Sequence, residues 1–147
     1  MIQHLILPET LRKRLDHHAE NTYPNECCGI LLGTKKDGRI IEAVPTDNSM
    51  RRTHARRAFA VPLLSVLMIR RYLKPYRHLR LLGFYHTHPD APAVPSGDDI
   101  TLAWPRHVYL IASVRRGAVR PWHAWALDDN PPAEIPLTII QPVLVTE

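Results

Sequence analysis

Two histidines one residue apart, in His86-Thr87-His88-Pro89, are followed by Asp99 in Ser96-Gly97-Asp98-Asp99. Neutral imidazole and carboxylate are ordinary ligands of a zinc-type ion, and three protein ligands leave a fourth position open. Such a position makes water a nucleophile near neutral pH, which is the chemistry of a hydrolase. On a strand, residues i and i+2 face the same way. His86 and His88 then project together, with Cβ atoms about 6–7 Å apart, and Thr87 points away. Residues 89–95 hold Pro89, Pro92 and Pro95, a rigid loop that lets the chain reverse and return Asp99 as the third ligand. Ser96-x-x-Asp99 is close to a capping box, so Ser96 opens a short helix. A hydroxyl one turn from Asp99 is also placed to donate to a developing oxyanion.

A hydrolase of this kind needs a carboxylate to shuttle protons, the part played by the Glu of H-E-x-x-H zincins. No such helix occurs here. Glu26 is the strongest candidate because it precedes the apolar run Gly29-Ile30-Leu31-Leu32-Gly33. Glu9, Glu20, Glu42, Glu134 and Glu147 read as surface positions.

The elements that must position these groups follow from periodicity. Leu7, Leu11, Leu15 and Ala19 form one stripe, which predicts a helix over residues 8–20 with Pro8 and Glu9 in its first turn. Residues 29–33 read as a buried strand, 35–38 as a turn with Asp-Gly chemistry, and 39–44 as the returning strand. Residues 45–58 are polar and basic, a loop, with a short strand expected over Phe59 to Val61. Residues 62–74 read as a helix with an apolar face of Leu63, Val66, Leu67, Ile69 and Leu73. Residues 81–88 read as a central strand running into the histidines, and 96–103 as a short helix. Strands are expected over 108–114, 121–127 and 135–145. This order predicts a single α/β domain over residues 1–147, with one mixed sheet flanked by helices.

At 147 residues and 45% hydrophobic, the chain is long enough for one core. The formal charge of +5 points to an anionic partner. Arginines cluster at Arg51, Arg52, Arg56 and Arg57, and again at Arg115, Arg116 and Arg120. No aromatic residues alternate with them as in a base-stacking surface, which favours an acidic protein over nucleic acid. Cys27 and Cys28 are neighbours and cannot bridge with ordinary disulfide geometry, so they read as small apolar residues in a reducing compartment. No segment has the apolar length to span a bilayer and no leader is visible, so a cytoplasmic location is expected. His17 and His18 read as solvated helix positions, and Trp104, Trp122 and Trp125 as packing residues.

Taken together, these residues resemble the JAMM (MPN-plus) metalloproteases, or JAB domains. Their pattern is an upstream Glu, then H-[ST]-H-P, six residues and S-x-x-D. Here Glu26, His86-Thr87-His88-Pro89, Ser96 and Asp99 meet it. Pro24 to Gly33 looks like the stretch around the catalytic Glu in compact prokaryotic members, and Asn48 and Phe59-Ala60-Val61-Pro62 are also similar to them. The resemblance implies the JAB/MPN fold, similar to cytidine deaminases. It implies Zn2+ held by His86, His88 and Asp99, with Glu26 as general base and acid on a zinc-bound water and Ser96 at the oxyanion. The implied reaction is hydrolysis of a peptide or isopeptide bond after the C-terminal tail of a ubiquitin-like or sulfur-carrier (β-grasp) protein. Only Trp104-Pro105-Arg106-His107 separates the metal helix from the next strand. The long insertions of the polyubiquitin-specific members are absent, which argues against that substrate.

Three other readings exist. A deaminase needs H-x-E and P-C-x-x-C, and neither is present. A non-catalytic MPN-type binding module is the alternative from another class, and it need not hold stoichiometric zinc. A DNA-associated JAB protein would bind DNA in a salt-sensitive way.

Overall fold

The strand that carries the histidines lies near the middle of an eight-stranded mixed sheet. The computed structural model describes residues 1–48 and 61–142. Along the chain the elements are β1 (Leu5–Pro8), α1 (Glu9–Thr22), β2 (Cys28–Thr34), β3 (Arg39–Thr46), α2 (Leu63–Leu73), β4 (Arg80–Pro89), α3 (Gly97–Leu102), β5 (Val108–Arg115), β6 (Ala118–Ala126), β7 (Ala133–Ile135) and β8 (Leu137–Ile140). The strand order is β7-β6-β5-β4-β2-β3-β1-β8. β4 runs parallel to β5 and antiparallel to β2.

Both faces of β4 are covered, which is why residues 82–88 are buried without alternation. On one face α1 packs Leu11, Leu15 and Ala19 against a core that includes Leu31, Tyr85 and Leu110. On the other, α2 brings Val66 and Leu73 against Ile30, Phe84 and Tyr109. Pro8 precedes α1 with an extended backbone, and Glu9 occupies the first turn, where an acid complements the helix dipole.

The sheet curls around α1. Its two edge strands, β7 and β8, are separated in the chain by Pro136 alone. The Leu5 amide donates to the Pro136 carbonyl at 3.0 Å, and the Trp122 indole N–H donates to Asp16 on α1 at 2.8 Å. α1 thus touches β1, β3, β6 and β8 from inside the curl.

Several boundaries differ from the sequence expectation. The closing strand expected over 135–145 is broken at Pro136, which has no N–H to give a ladder. Its first half pairs with β6 and its second with β1, and the part beyond residue 142 lies outside the described residues. β1 was not anticipated. Four residues ending in proline carry too little pattern, and only the parallel partners β3 and β8 make them a strand. Within α2, Val66 and Leu73 are buried and Ile69 half-buried, while Leu63 and Leu67 stay 62% and 54% exposed. The helix meets β4 along the single line 66–69–73, narrower than the apolar arc its sequence offers. Val61 lies in no strand. Phe59, Ala60 and the basic run Arg51, Arg52, Arg56 and Arg57 lie outside the described residues.

Gly83 sets how closely β4 approaches β5. A Cβ built there would overlap the Val108 carbonyl, and backbone cannot yield as a side chain can. Gly83→Ala is expected to cost about 1–3 kcal/mol in urea unfolding, the range for overpacking a tight interior.

Candidate metal centre

His86 and His88 leave the same face of β4, and α3 brings Asp99 against them. One donor atom from each of the three lies within 4.8 Å of the others, and all three residues are buried. The His86 and His88 Nε2 atoms are 3.1 Å apart. Asp99 is split between them, with Oδ1 3.1 Å from His86 Nε2 and Oδ2 3.0 Å from His88 Nε2.

These separations fit a metal. Donors at about 2.0–2.1 Å from a tetrahedral zinc lie roughly 3.3 Å from one another. The tautomer of His88 fits as well. Its Nδ1–H donates to the Pro92 carbonyl at 2.7 Å, which leaves the Nε2 lone pair of the neutral ring aimed at the other donors. Without an ion the carboxylate is held by the two imidazoles; with one, all three groups would turn lone pairs to it.

The loop and helix between the ligands are built for this return. The Ser96 hydroxyl accepts the Asp99 N–H at 3.1 Å, and the Ser96 N–H donates to Asp99 Oδ2 at 2.8 Å, completing a capping box. The Asp99 carboxylate thus caps a six-residue helix and faces both histidines. The Ser96 oxygen is used as an acceptor here, so its own proton is free for a further partner. Farther back, the Trp125 indole N–H holds the Ala93 carbonyl at 3.2 Å.

Glu26 arrives from the other side of β4. The residues after it form β2, antiparallel to β4 with Cys28 opposite His86. Thr87, pointing away from the histidines as expected, pins this crossing. Its hydroxyl accepts the Cys27 N–H at 2.9 Å, and its own N–H donates to the Cys27 carbonyl at 3.2 Å. Sequence reasoning gave Thr87 no task; a hydroxyl residue between two ligands was the available signal. The Asn48 amide reaches the Glu26 carbonyl at 3.5 Å. Glu26 is 4% exposed, with Oε1 4.0 Å from His88 Nε2. Its Oε2 is buried and has no hydrogen-bond partner among the described residues.

Burial dominates the electrostatics. It pushes the Glu26 carboxyl up to about 8, against the pull of His88. Burial also raises Asp99, but the two imidazoles and the Ser96 N–H outweigh it and hold this carboxyl below its ordinary value. Burial lowers His86. It lowers His88 too, yet Asp99, the Pro92 carbonyl and Glu26 lift that ring above its usual value.

The other glutamates among the described residues are engaged elsewhere. Glu9 pairs with Arg12, Glu42 with Arg14 and Glu134 with His123, and Glu20 accepts the Val119 N–H; Glu147 lies outside the described residues. Cys27 and Cys28 are buried free thiols, pushed up by burial to about 12 and about 11, so both are inert. Trp122 is buried, and Trp104 packs on Phe84 at 5.5 Å. His18 differs from expectation. Only His17 is solvated, while His18 is half-buried and bonds the Tyr85 hydroxyl at 2.9 Å.

Comparison with known proteins agrees with this geometry. The family model described as prokaryotic homologues of the JAB domain matches residues 8–128. The chain belongs to that family. It is similar to desampylase of Haloferax volcanii, 33% identical over 61% of this chain and 63% of that protein, so the match spans less than two thirds of that relative. It is 25% identical to CysO-cysteine peptidase of Mycobacterium bovis over 93% of this chain and 92% of that protein. A JAB1/MPN domain protein from Archaeoglobus fulgidus shares the fold, with a TM-score of 0.60, 18% identity, and coverage of 92% of this chain and 97% of that one. The family and these curated relatives are those of JAMM-type hydrolases. No helix among the described residues is long and apolar enough to cross a membrane.

The raised Glu26 carboxyl has a consequence for the chelator-treated protein. Between pH 4.5 and about 8 the folded state keeps a proton that the unfolded state has released. Stability therefore falls as pH rises through that window. Urea midpoints measured across it are expected to fall more steeply for the wild type than for Glu26→Gln.

Proposed function

We propose that this chain is a zinc-dependent peptidase that cuts the peptide or isopeptide bond after the C-terminal tail of a ubiquitin-like or sulfur-carrier protein. The observation that carries this reading is Glu26. It is a desolvated carboxyl with one oxygen unpartnered among the described residues, held beside three converging metal donors. A scaffold has no need for such a group, and its burial costs stability. The family match and the names of the two curated relatives support the substrate class.

In this reading His86, His88 and Asp99 hold the ion. Zinc, when bound, polarises the scissile carbonyl and acidifies water. Glu26 accepts the proton of the attacking water, and the positive charge of a bound ion beside it would favour the ionised carboxylate that this role needs. The same carboxyl then delivers that proton to the leaving nitrogen. Ser96 turns its free hydroxyl proton toward the oxyanion while its oxygen continues to cap α3. His88, locked by Pro92, cannot rotate away.

Carrier fusions ending in Gly-Gly-X give the test, read by mass spectrometry of the products. Cleavage after Gly-Gly is expected, lost on chelation and restored by zinc. Glu26→Gln is expected to retain zinc and to lose about 10²–10⁴-fold in kcat, the usual share of general acid–base catalysis. Wild-type rates in Glu26→Gln, or cleavage untouched by chelation, would refute the assignment. Ser96→Ala is expected to lose about 10²–10³-fold in kcat. Its separate stability cost, about 1 kcal/mol for a lost helix cap, is measurable by urea unfolding.

A further inference from the structure

Beyond the Pro92-Ala93 wall of the metal centre lies a second cavity of about 930 Å3. It sits where the ends of β4 and β5 meet the start of β6. Arg115, Arg116 and Arg120 line it, with Ser113 and Asp90. None of the three guanidinium groups is in an ion pair with a carboxylate among the described residues, and Arg115 donates to the Asp90 carbonyl at 3.3 Å. His123 also lines the cavity, but its ring is tied to Glu134 at 2.6 Å.

Asp90 offsets part of this charge. Its carboxylate accepts the Tyr23 hydroxyl at 2.6 Å and the Arg116 backbone N–H at 2.8 Å, and Arg115 and Arg116 nearby help hold it ionised. Three positive side chains therefore face a single carboxylate among the cavity's lining residues. A second observation is independent of charge. Ser113 is only 5% exposed, and its hydroxyl has no hydrogen-bond partner among the described residues. A buried hydroxyl without a partner is uncommon, and this one belongs to a residue in the cavity wall.

Size and position decide the kind of anion. A liquid water occupies roughly 30 Å3, so this space is far larger than a single tetrahedral oxyanion needs. Planar guanidinium groups match carboxylates in paired hydrogen bonds. The cavity also shares its walls with the metal centre. Ser113 is in register with His88 across β4 and β5. Pro92, whose carbonyl fixes His88, lines the cavity too. A chain laid across the ligands reaches it within a few residues.

We infer that this cavity is a specificity subsite for a carboxylate-bearing segment of the substrate protein next to the scissile bond. The inference rests on the peptidase reading above and adds to it the acidic character of the substrate.

The test uses two fluorescein-labelled peptides, one with Asp and Glu on both sides of Gly-Gly and one with Asn and Gln there. Binding to the full-length Glu26→Gln protein is read by fluorescence anisotropy at low salt. The acidic peptide is expected to bind at least about tenfold more tightly, the worth of one charge-assisted pair. The preference should shrink with added salt and vanish in Arg115→Gln/Arg120→Gln. Should that double variant melt early, Arg120→Gln alone, which breaks no described hydrogen bond, is expected to weaken the preference by itself. Inorganic phosphate in millimolar excess should leave the peptide bound. Equal affinity for both peptides, a preference that survives the arginine substitutions, or displacement by phosphate would each overturn the inference. Cleavage of Gly-Gly fusions without acidic preference overturns this inference alone. Acidic preference in a wild-type protein that cuts nothing retires the peptidase reading, and with it the subsite's place beside a scissile bond, and leaves a carboxylate-binding cavity.

Discussion

Two imidazoles and a carboxylate brought within hydrogen-bonding distance of one another in a buried space give up the solvation each has in water. In water each would be solvated; here His86 is fully buried and His88 and Asp99 nearly so. Such an arrangement persists only if the surrounding fold over-determines it, and a cation held there would compensate the carboxylate's charge. Much of the architecture serves that end. β4 is clamped between β2 and β5, with the α1 core behind it and α2 in front. The histidines cannot turn outward because their strand has no free face. Asp99 cannot withdraw without uncapping α3, since one carboxylate serves both purposes.

The same desolvation that strains the donors equips Glu26. A carboxyl in water is too weak a base to hold a proton at neutral pH. Removing it from solvent, beside an imidazole that only partly compensates, raises it to about 8 in the metal-free protein. Its placement depends on a hydroxyl on the opposite side of the sheet. Thr87 ties Cys27 to β4, so the residue before Cys27 is delivered to the face where the histidines are. In the proposed reading β4 would thus position the base as well as the ion, and the spacing between Glu26 and the histidines is set by sheet pairing rather than by loops.

The site was more legible in the sequence than the periphery of the fold. His-x-His is readable because a strand repeats every two residues, and Ser96-x-x-Asp99 because a capping box is a local pattern with a known geometry. Glu26 was weaker. Its distance along the chain from the histidines gives no period, and only the resemblance to a family joined it to them. The remaining misreadings share one cause, tertiary context. β1 is four residues long and is a strand because it pairs with β3 and β8. α2 is apolar on more sides than it buries, since periodicity shows what a helix can cover and not what stands opposite. His18 read as solvated, yet Tyr85 reaches it from another strand. The arginines at 115–120 were visible as a cluster, but the cavity and the unpartnered Ser113 hydroxyl beneath them needed coordinates.

A proline between two very short strands also bears on how these molecules behave in a crowd. Because Pro136 hands the chain from one rim of the sheet to the other, the terminal ribbons are only three and four residues long. On β6, the stretch ahead of its pairing with β7 contains Pro121, which offers no amide to an incoming chain. Another copy therefore finds little ribbon on which to continue the ladder. Among the described residues, the path of the backbone itself thus leaves only short stretches of edge open to pairing.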